Sequence, residues 1–196
     1  MDEVESLSRR TLLTTAAALA VASTEACARP APTAQNGDAS ILVAYFTRSG
    51  NTKVIAGTIQ RALGADLFEI RPAQPYPADY EANVAQATRE RDSGFEPPLA
   101  ERVANIAAYD EIYLGFPIWG ETAPPIIRSF LKAHDLTGKK LRPLITHGGF
   151  GPGSSTAVLR SHAVGARIED PFVMEADQER RTMTEVKGWL DTIEAV

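Results

Sequence analysis

The chain alternates between short apolar runs and longer stretches in which apolar residues recur every three or four positions. Ile41 to Phe46 holds six apolar residues without a charge and ends at Thr47. A run of that length beside turn residues predicts a strand buried on both faces. Lys53 to Leu63 then places Val54, Ile55, Ile59, Ala62 and Leu63 on one helical face, with Gly64 as its stop. Ala65 to Ile70 predicts a second strand, closed by Pro72, Pro75 and Pro77. Asp79 to Asp92 is a polar helix candidate whose apolar stripe is weak (Tyr80, Val84, Ala87), so it is expected at the surface. Leu99, Val103, Ile106 and Ala107 at core spacing predict another helix after Pro97-Pro98.

The same alternation runs to the end. Ile112 to Phe116 reads as a third strand. Pro124 and Pro125 open a helix that buries Ile126, Ile127, Phe130 and Leu131, proline being well tolerated in a first turn. Lys140 to Thr146 gives a fourth strand, and Ser154 and Ser155 cap a helix carrying Val158 and Leu159. A short final strand is expected between Ala163 and Val173. Thr182 to Val196 closes the domain with Met183, Val186, Trp189, Leu190 and Ile193 on one stripe. Strand–helix alternation of this kind predicts an α/β fold, a doubly wound open parallel sheet with helices on both faces.

Composition adds little to this picture and removes some functions from it. With 196 residues, 44% of them hydrophobic and 23% charged, the chain has the make-up of an ordinary soluble globular protein. A net charge of −5 with no basic stripe argues against a nucleic-acid partner.

The first 28 residues differ in kind. Ser8-Arg9-Arg10-Thr11 precedes the small apolar run Leu12 to Ala22, too short and alanine-rich for a membrane span. Ala26-Cys27-Ala28 supplies the small residues of a cleavage site. Residues 1–28 are therefore expected to be a twin-arginine signal for export to the periplasm or another extracytoplasmic space. Cleavage would remove two arginines and four carboxylates, taking the net charge from −5 to −3. It would also remove Cys27, the one cysteine, so no disulfide or thiol chemistry is expected in the mature chain. Lipid anchoring at Cys27 is the weaker alternative, because Glu25 spoils the lipobox. Residues 29–40, with Pro30, Pro32, Asn36 and Gly37, read as a flexible linker, leaving 41–196 as the folded domain and no integral membrane segment in it.

Ligands of open parallel sheets bind beyond the carboxyl ends of the strands. Three loops follow predicted strands and would meet there. Thr47, Arg48, Ser49, Gly50, Asn51 and Thr52 offer hydroxyls, an amide, a cation and a permissive glycine ahead of a helix N-terminus, which suits a phosphate. Pro117, Ile118, Trp119 and Gly120 bring a large flat side chain. His147, Gly148, Gly149, Phe150 and Gly151 let backbone approach a planar ligand closely, with Phe150 as a second ring and His147 at the loop mouth. One phosphate and one aromatic heterocycle together describe a mononucleotide. His134 and His162 fall in or near helices and are expected at the surface. No metal-ligand spacing, C-x-x-C, G-x-S-x-G, Walker A or G-x-G-x-x-G pattern is present.

Tyr45-Phe46-Thr47-Arg48-Ser49-Gly50-Asn51-Thr52, Gly115-Phe116-Pro117-Ile118-Trp119 and Gly148-Gly149-Phe150-Gly151 together resemble the flavodoxin-like family, over nearly all of 41–196. The resemblance implies five strands in order 2-1-3-4-5 and bound FMN. Thr47, Ser49, Gly50, Asn51 and Thr52 would then hold the phosphate. Pro117 to Gly120 would border one side of the isoalloxazine and Gly148 to Gly151 the other. Two functions follow from it: one-electron transfer to a redox partner, or a small NAD(P)H:quinone-type oxidoreductase acting on a quinone-like acceptor, as monomer or dimer. A flavodoxin-shaped interaction module without flavin is the competing class.

Overall fold

The computed structural model describes residues 40–175 and 179–194. The expected signal and nearly all of the linker therefore lie outside the described residues. Five helices and six strands alternate along the rest: β1 (Ile41–Tyr45), α1 (Asn51–Leu63), β2 (Asp66–Glu69), α2 (Tyr80–Ser93), β3 (Glu111–Pro117), α3 (Pro125–Ala133), β4 (Lys140–His147), α4 (Ser155–His162), β5 (Arg167–Ile168), β6 (Phe172–Glu175) and α5 (Glu179–Glu194). All pairings are parallel and the order is β2-β1-β3-β4-β5, with β6 also on β4.

Side-chain alternation in β1 shows why the sheet is covered twice. Leu42 and Ala44 point into one core, with Ile112, Leu114 and Phe116 of β3 and Ile126, Ile127, Phe130 and Leu131 of α3. Val43 and Tyr45 point into the other, with Ile55 and Ile59 of α1 and Val186 and Leu190 of α5. An apolar run with no polar member is what two buried faces require. Each fully buried Ile, Leu or Phe here contributes about 1.5–3 kcal/mol of transfer free energy. No described helix is long and apolar enough to cross a membrane.

Four expectations need correction. The segment after Pro97-Pro98 is not a helix. Ala73 N–H donates to the Pro98 carbonyl (2.7 Å) and Ala100 N–H to the Arg71 carbonyl (2.8 Å), so its backbone pairs with the chain leaving β2. Only one 3-10 turn, Ile106–Ala108, forms there, although Leu99, Val103 and Ile106 do pack on the core. Tertiary partners outcompete a helix whose apolar spacing alone looked adequate.

The final strand is two pieces rather than one, and it extends past Val173 to Glu175. Arg167 and Ile168 pair with Lys140 and Leu141, then Phe172 to Glu175 pair with Leu144 to His147. Pro171 between them has no N–H to give the ladder, a break an edge position tolerates. Helix α1 starts at Asn51, two residues earlier than expected, which makes Asn51 and Thr52 its first turn rather than loop. Finally, His134 is not a surface residue. It is 8% exposed, its Nδ1 donates to the Phe130 carbonyl (2.8 Å), and its Nε2 accepts from Val103 N–H (3.1 Å). Burial lowers its pKa below the ordinary 6.5, with the Phe130 bond opposing and nearby Arg102 adding.

Candidate functional site

The three loops leave β1, β3 and β4 at the same edge, and hydrogen bonds hold them to one another. The first turns at Gly50 (φ 98°), whose N–H donates to Thr47 Oγ1 at 3.0 Å. A residue with a Cβ would be strained in that conformation. The first turn of α1, with its outward N–H groups, follows directly. Thr52, buried, shares a 3.0 Å hydroxyl–hydroxyl bond with Thr146 of β4.

The second loop closes with reciprocal bonds, Trp119 N–H to the Thr122 carbonyl (2.9 Å) and Thr122 N–H to the Trp119 carbonyl (3.3 Å). Gly120 and Glu121 sit between them at φ 56° and 64°. Trp119 is fixed edge-on against Phe46 (centroids 5.1 Å apart) and Tyr76 (4.8 Å). Two such contacts restrict the indole more than area burial alone would. Tyr76 Oη in turn donates to Glu90 Oε2 at 2.8 Å, and burial with that carboxylate pushes its pKa far up.

The third loop is tied to the second. Ser154 N–H donates to the Glu121 carbonyl (2.9 Å) and Ser154 Oγ to Thr122 Oγ1 (2.9 Å). Within the loop, Gly149 N–H donates to His147 Nδ1 at 3.0 Å, so a neutral His147 ring carries its proton on Nε2.

Between these loops lies a cavity of about 340 Å³, within the roughly 300–1,000 Å³ usual for small-molecule sites. From the first loop, Arg48, Ser49, Asn51 and Thr52 reach its wall; Thr47 and Gly50 shape the turn behind them. Pro117, Ile118, Trp119 and Gly120 all line it, and so do His147 and Gly148. Gly149, Phe150 and Gly151 do not. Phe150 is 88% exposed and borders a neighbouring, more open hollow beside Arg128.

The opposite wall comes from the polar helix whose role the sequence leaves open. Helix α2 contributes Tyr80, Asn83, Val84, Ala87, Thr88 and Arg91. It is strapped at both ends to the loops it faces. Arg48 donates from Nη2 to the Ala78 carbonyl (3.0 Å) and lies over the Tyr80 ring at 5.5 Å. At the other end Arg91 Nη1 donates to the Gly120 carbonyl (3.3 Å). The signal was in the sequence: positions 80, 83, 84, 87, 88 and 91 share one helical face. Tyr80, Val84 and Ala87 on that face make the weak apolar stripe, and Asn83, Thr88 and Arg91 beside them keep it from reading as more than a surface helix.

Phosphate-suited donors, a fixed indole and a glycine-lined opposite side at one sheet edge are features of proteins that bind a flat phosphorylated cofactor. The chain belongs to the flavodoxin family, whose sequence pattern matches residues 40–193. None of the curated proteins matches in sequence. Among solved structures, it is similar to a candidate flavoprotein from Bacteroides eggerthii, at 33% identity and TM-score 0.69, covering 81% of this chain and 99% of that one. A second from Bacteroides uniformis gives 28% identity and TM-score 0.68, covering 77% and 99%. A flavoprotein from Lactobacillus acidophilus, solved in complex with FMN, shares the fold at 20% identity and TM-score 0.61, covering 75% and 99%.

Proposed function

We propose that the chain holds FMN across the three loops and uses it as a small reductase, passing electrons to a compact quinone-like acceptor. The observation that carries this is the convergence of all three loops on a single walled cavity, with Trp119 on it and the first turn of α1 at its edge. Side chains present there fit the group. Ser49, Asn51 and Thr52 with the α1 N-terminus suit a dianionic phosphate, and Trp119 with Gly148 suits a ring. Bound flavin would supply the electron-transfer chemistry; the protein's part is to bind it, orient it and limit access.

Helix α2 supports a small acceptor over a docking protein. Fourteen residues of helix stand along one side of the cavity, held by Arg48 and Arg91, where a carrier would leave its ring edge open to a partner. Steady-state turnover with NADH and a small quinone tests this reading. Measurable, FMN-dependent turnover is expected; a flavin-loaded protein that turns over no quinone would leave only the carrier function. Bound flavin of either kind would exclude a flavin-free interaction module.

Export belongs to the proposal as well. Folded chains cross by the twin-arginine route, so FMN could be inserted before translocation. Arg9→Lys with Arg10→Lys should abolish the periplasmic holoprotein, and an unchanged periplasmic level would refute that route.

A further inference from the structure

Four buried side-chain atoms lack a hydrogen-bond partner among the described residues: Asn83 Nδ2, Arg128 Nε, Ser129 Oγ and Ser155 Oγ. Of these four residues only Asn83 lines the cavity, and it is 3% exposed. An unpaired N–H donor in that setting is costly, because it has given up water without gaining a partner. Asparagine is also a poor helix former. About two turns further along the same helix the chain behaves differently. Buried Glu90 is satisfied twice, by Tyr76 Oη and by Gln86 Nε2, each at 2.8 Å. The unpaired donor is therefore confined to the stretch of α2 that faces the cavity, between the Arg48 strap and the Arg91 strap.

We propose that Asn83 is a ligand-binding residue, donating from Nδ2 to a carbonyl oxygen of the flavin ring, and that α2 is a ring-holding wall of the site. The assignment rests on the FMN reading above and adds to it a contact from outside the three loops. Chemistry favours this pairing over one with phosphate. The phosphate-suited donors already cluster on the first loop and α1, whereas a neutral amide N–H matches the uncharged carbonyls of a heterocycle. A donor at such a carbonyl favours the electron-rich, reduced ring over the oxidised one.

Asn83→Leu removes the donor while keeping a similar volume. Three results are expected. FMN and riboflavin should both bind about tenfold more weakly, one net hydrogen bond in each case. The flavin midpoint potential should fall. The flavin-free variant should melt no lower than the parent, since a buried unpaired N–H donor has been replaced by an apolar group. Asn83→Ala provides the same comparison should leucine not fit. Unchanged affinity for both flavins would overturn the assignment, and so would a loss confined to FMN, which would place the amide at the phosphate. A markedly lower melting temperature with unaltered affinity and potential would make Asn83 a structural residue only. If the parent protein takes up no flavin, the underlying reading fails and this assignment with it; normal uptake with an indifferent variant refutes the assignment alone.

Discussion

At the scale of single residues, the site depends on backbone conformations that few side chains accept. Gly153 sits at φ 53°, and a Cβ there would overlap the Glu121 carbonyl, the same oxygen that receives Ser154 N–H. Gly153→Ala is therefore expected to cost roughly 1–3 kcal/mol and to lower the melting temperature by several degrees. A melt indistinguishable from the parent would mean the tie between the second and third loops is dispensable. For the first loop, Ser49→Ala should weaken FMN by about 1.5–3 kcal/mol, one charge-assisted bond, and leave riboflavin unaffected. Equal losses for both ligands in a titration would show that the phosphate lies elsewhere. His134 titrates in the opposite sense to a paired histidine. Its folded pKa is depressed by burial, so the unfolded chain binds the extra proton first. Its stabilising contribution is complete above about pH 6.5 and is lost as pH falls below it. A plot of melting temperature against pH should slope downward there on acidification, and His134→Gln should flatten it; parallel curves would refute the assignment. Residues of this kind divide by how far their partners lie in sequence. The phosphate-suited loop and Trp119 could be read from composition, whereas His134 could not, because Val103, which fills its second nitrogen, lies 31 positions away.

Helix α2 shows what periodicity reports and what it misses. The 80/84/87 stripe was visible, and the helix bounds came out within a residue. Its role did not follow, because Asn83, Thr88 and Arg91 share the cavity face with that stripe and add nothing to an apolar pattern. The failed helix after Pro97-Pro98 is the converse: good apolar spacing, but backbone bonds claimed by Arg71 and Ala73 across the chain. Both depend on pairings between remote segments, which a local pattern cannot contain. The N-cap of α2 gives a test at this scale. Asp79 Oδ1 accepts from Ala82 N–H at 2.9 Å, and Asp79→Ala should cost about 0.5–2 kcal/mol. Hydrogen exchange should show the loss mainly as faster exchange in α2, with α1 and α3 little changed. A uniform acceleration across all helices would mean α2 does not open on its own.

For the whole molecule, the doubly wound sheet and its strand order were expected and are found, since β1 feeds two cores by simple alternation. The split edge strand escaped notice because Pro171 alone does not say which residues resume pairing with β4. Two hydrophobic faces buried against helices make the sheet a rigid platform, and rigidity is what brings three loops and one helix to a common cavity. Everything proposed for the site follows from that convergence, and uptake of flavin is its decisive test. The chain from Arg29 onward should be titrated with FMN, followed by absorbance and fluorescence, and the bound species identified after heat release. Stoichiometric binding of one FMN per chain, weakened by the Ser49 and Asn83 substitutions, is the predicted result. A protein that stays colourless in excess FMN would contradict it.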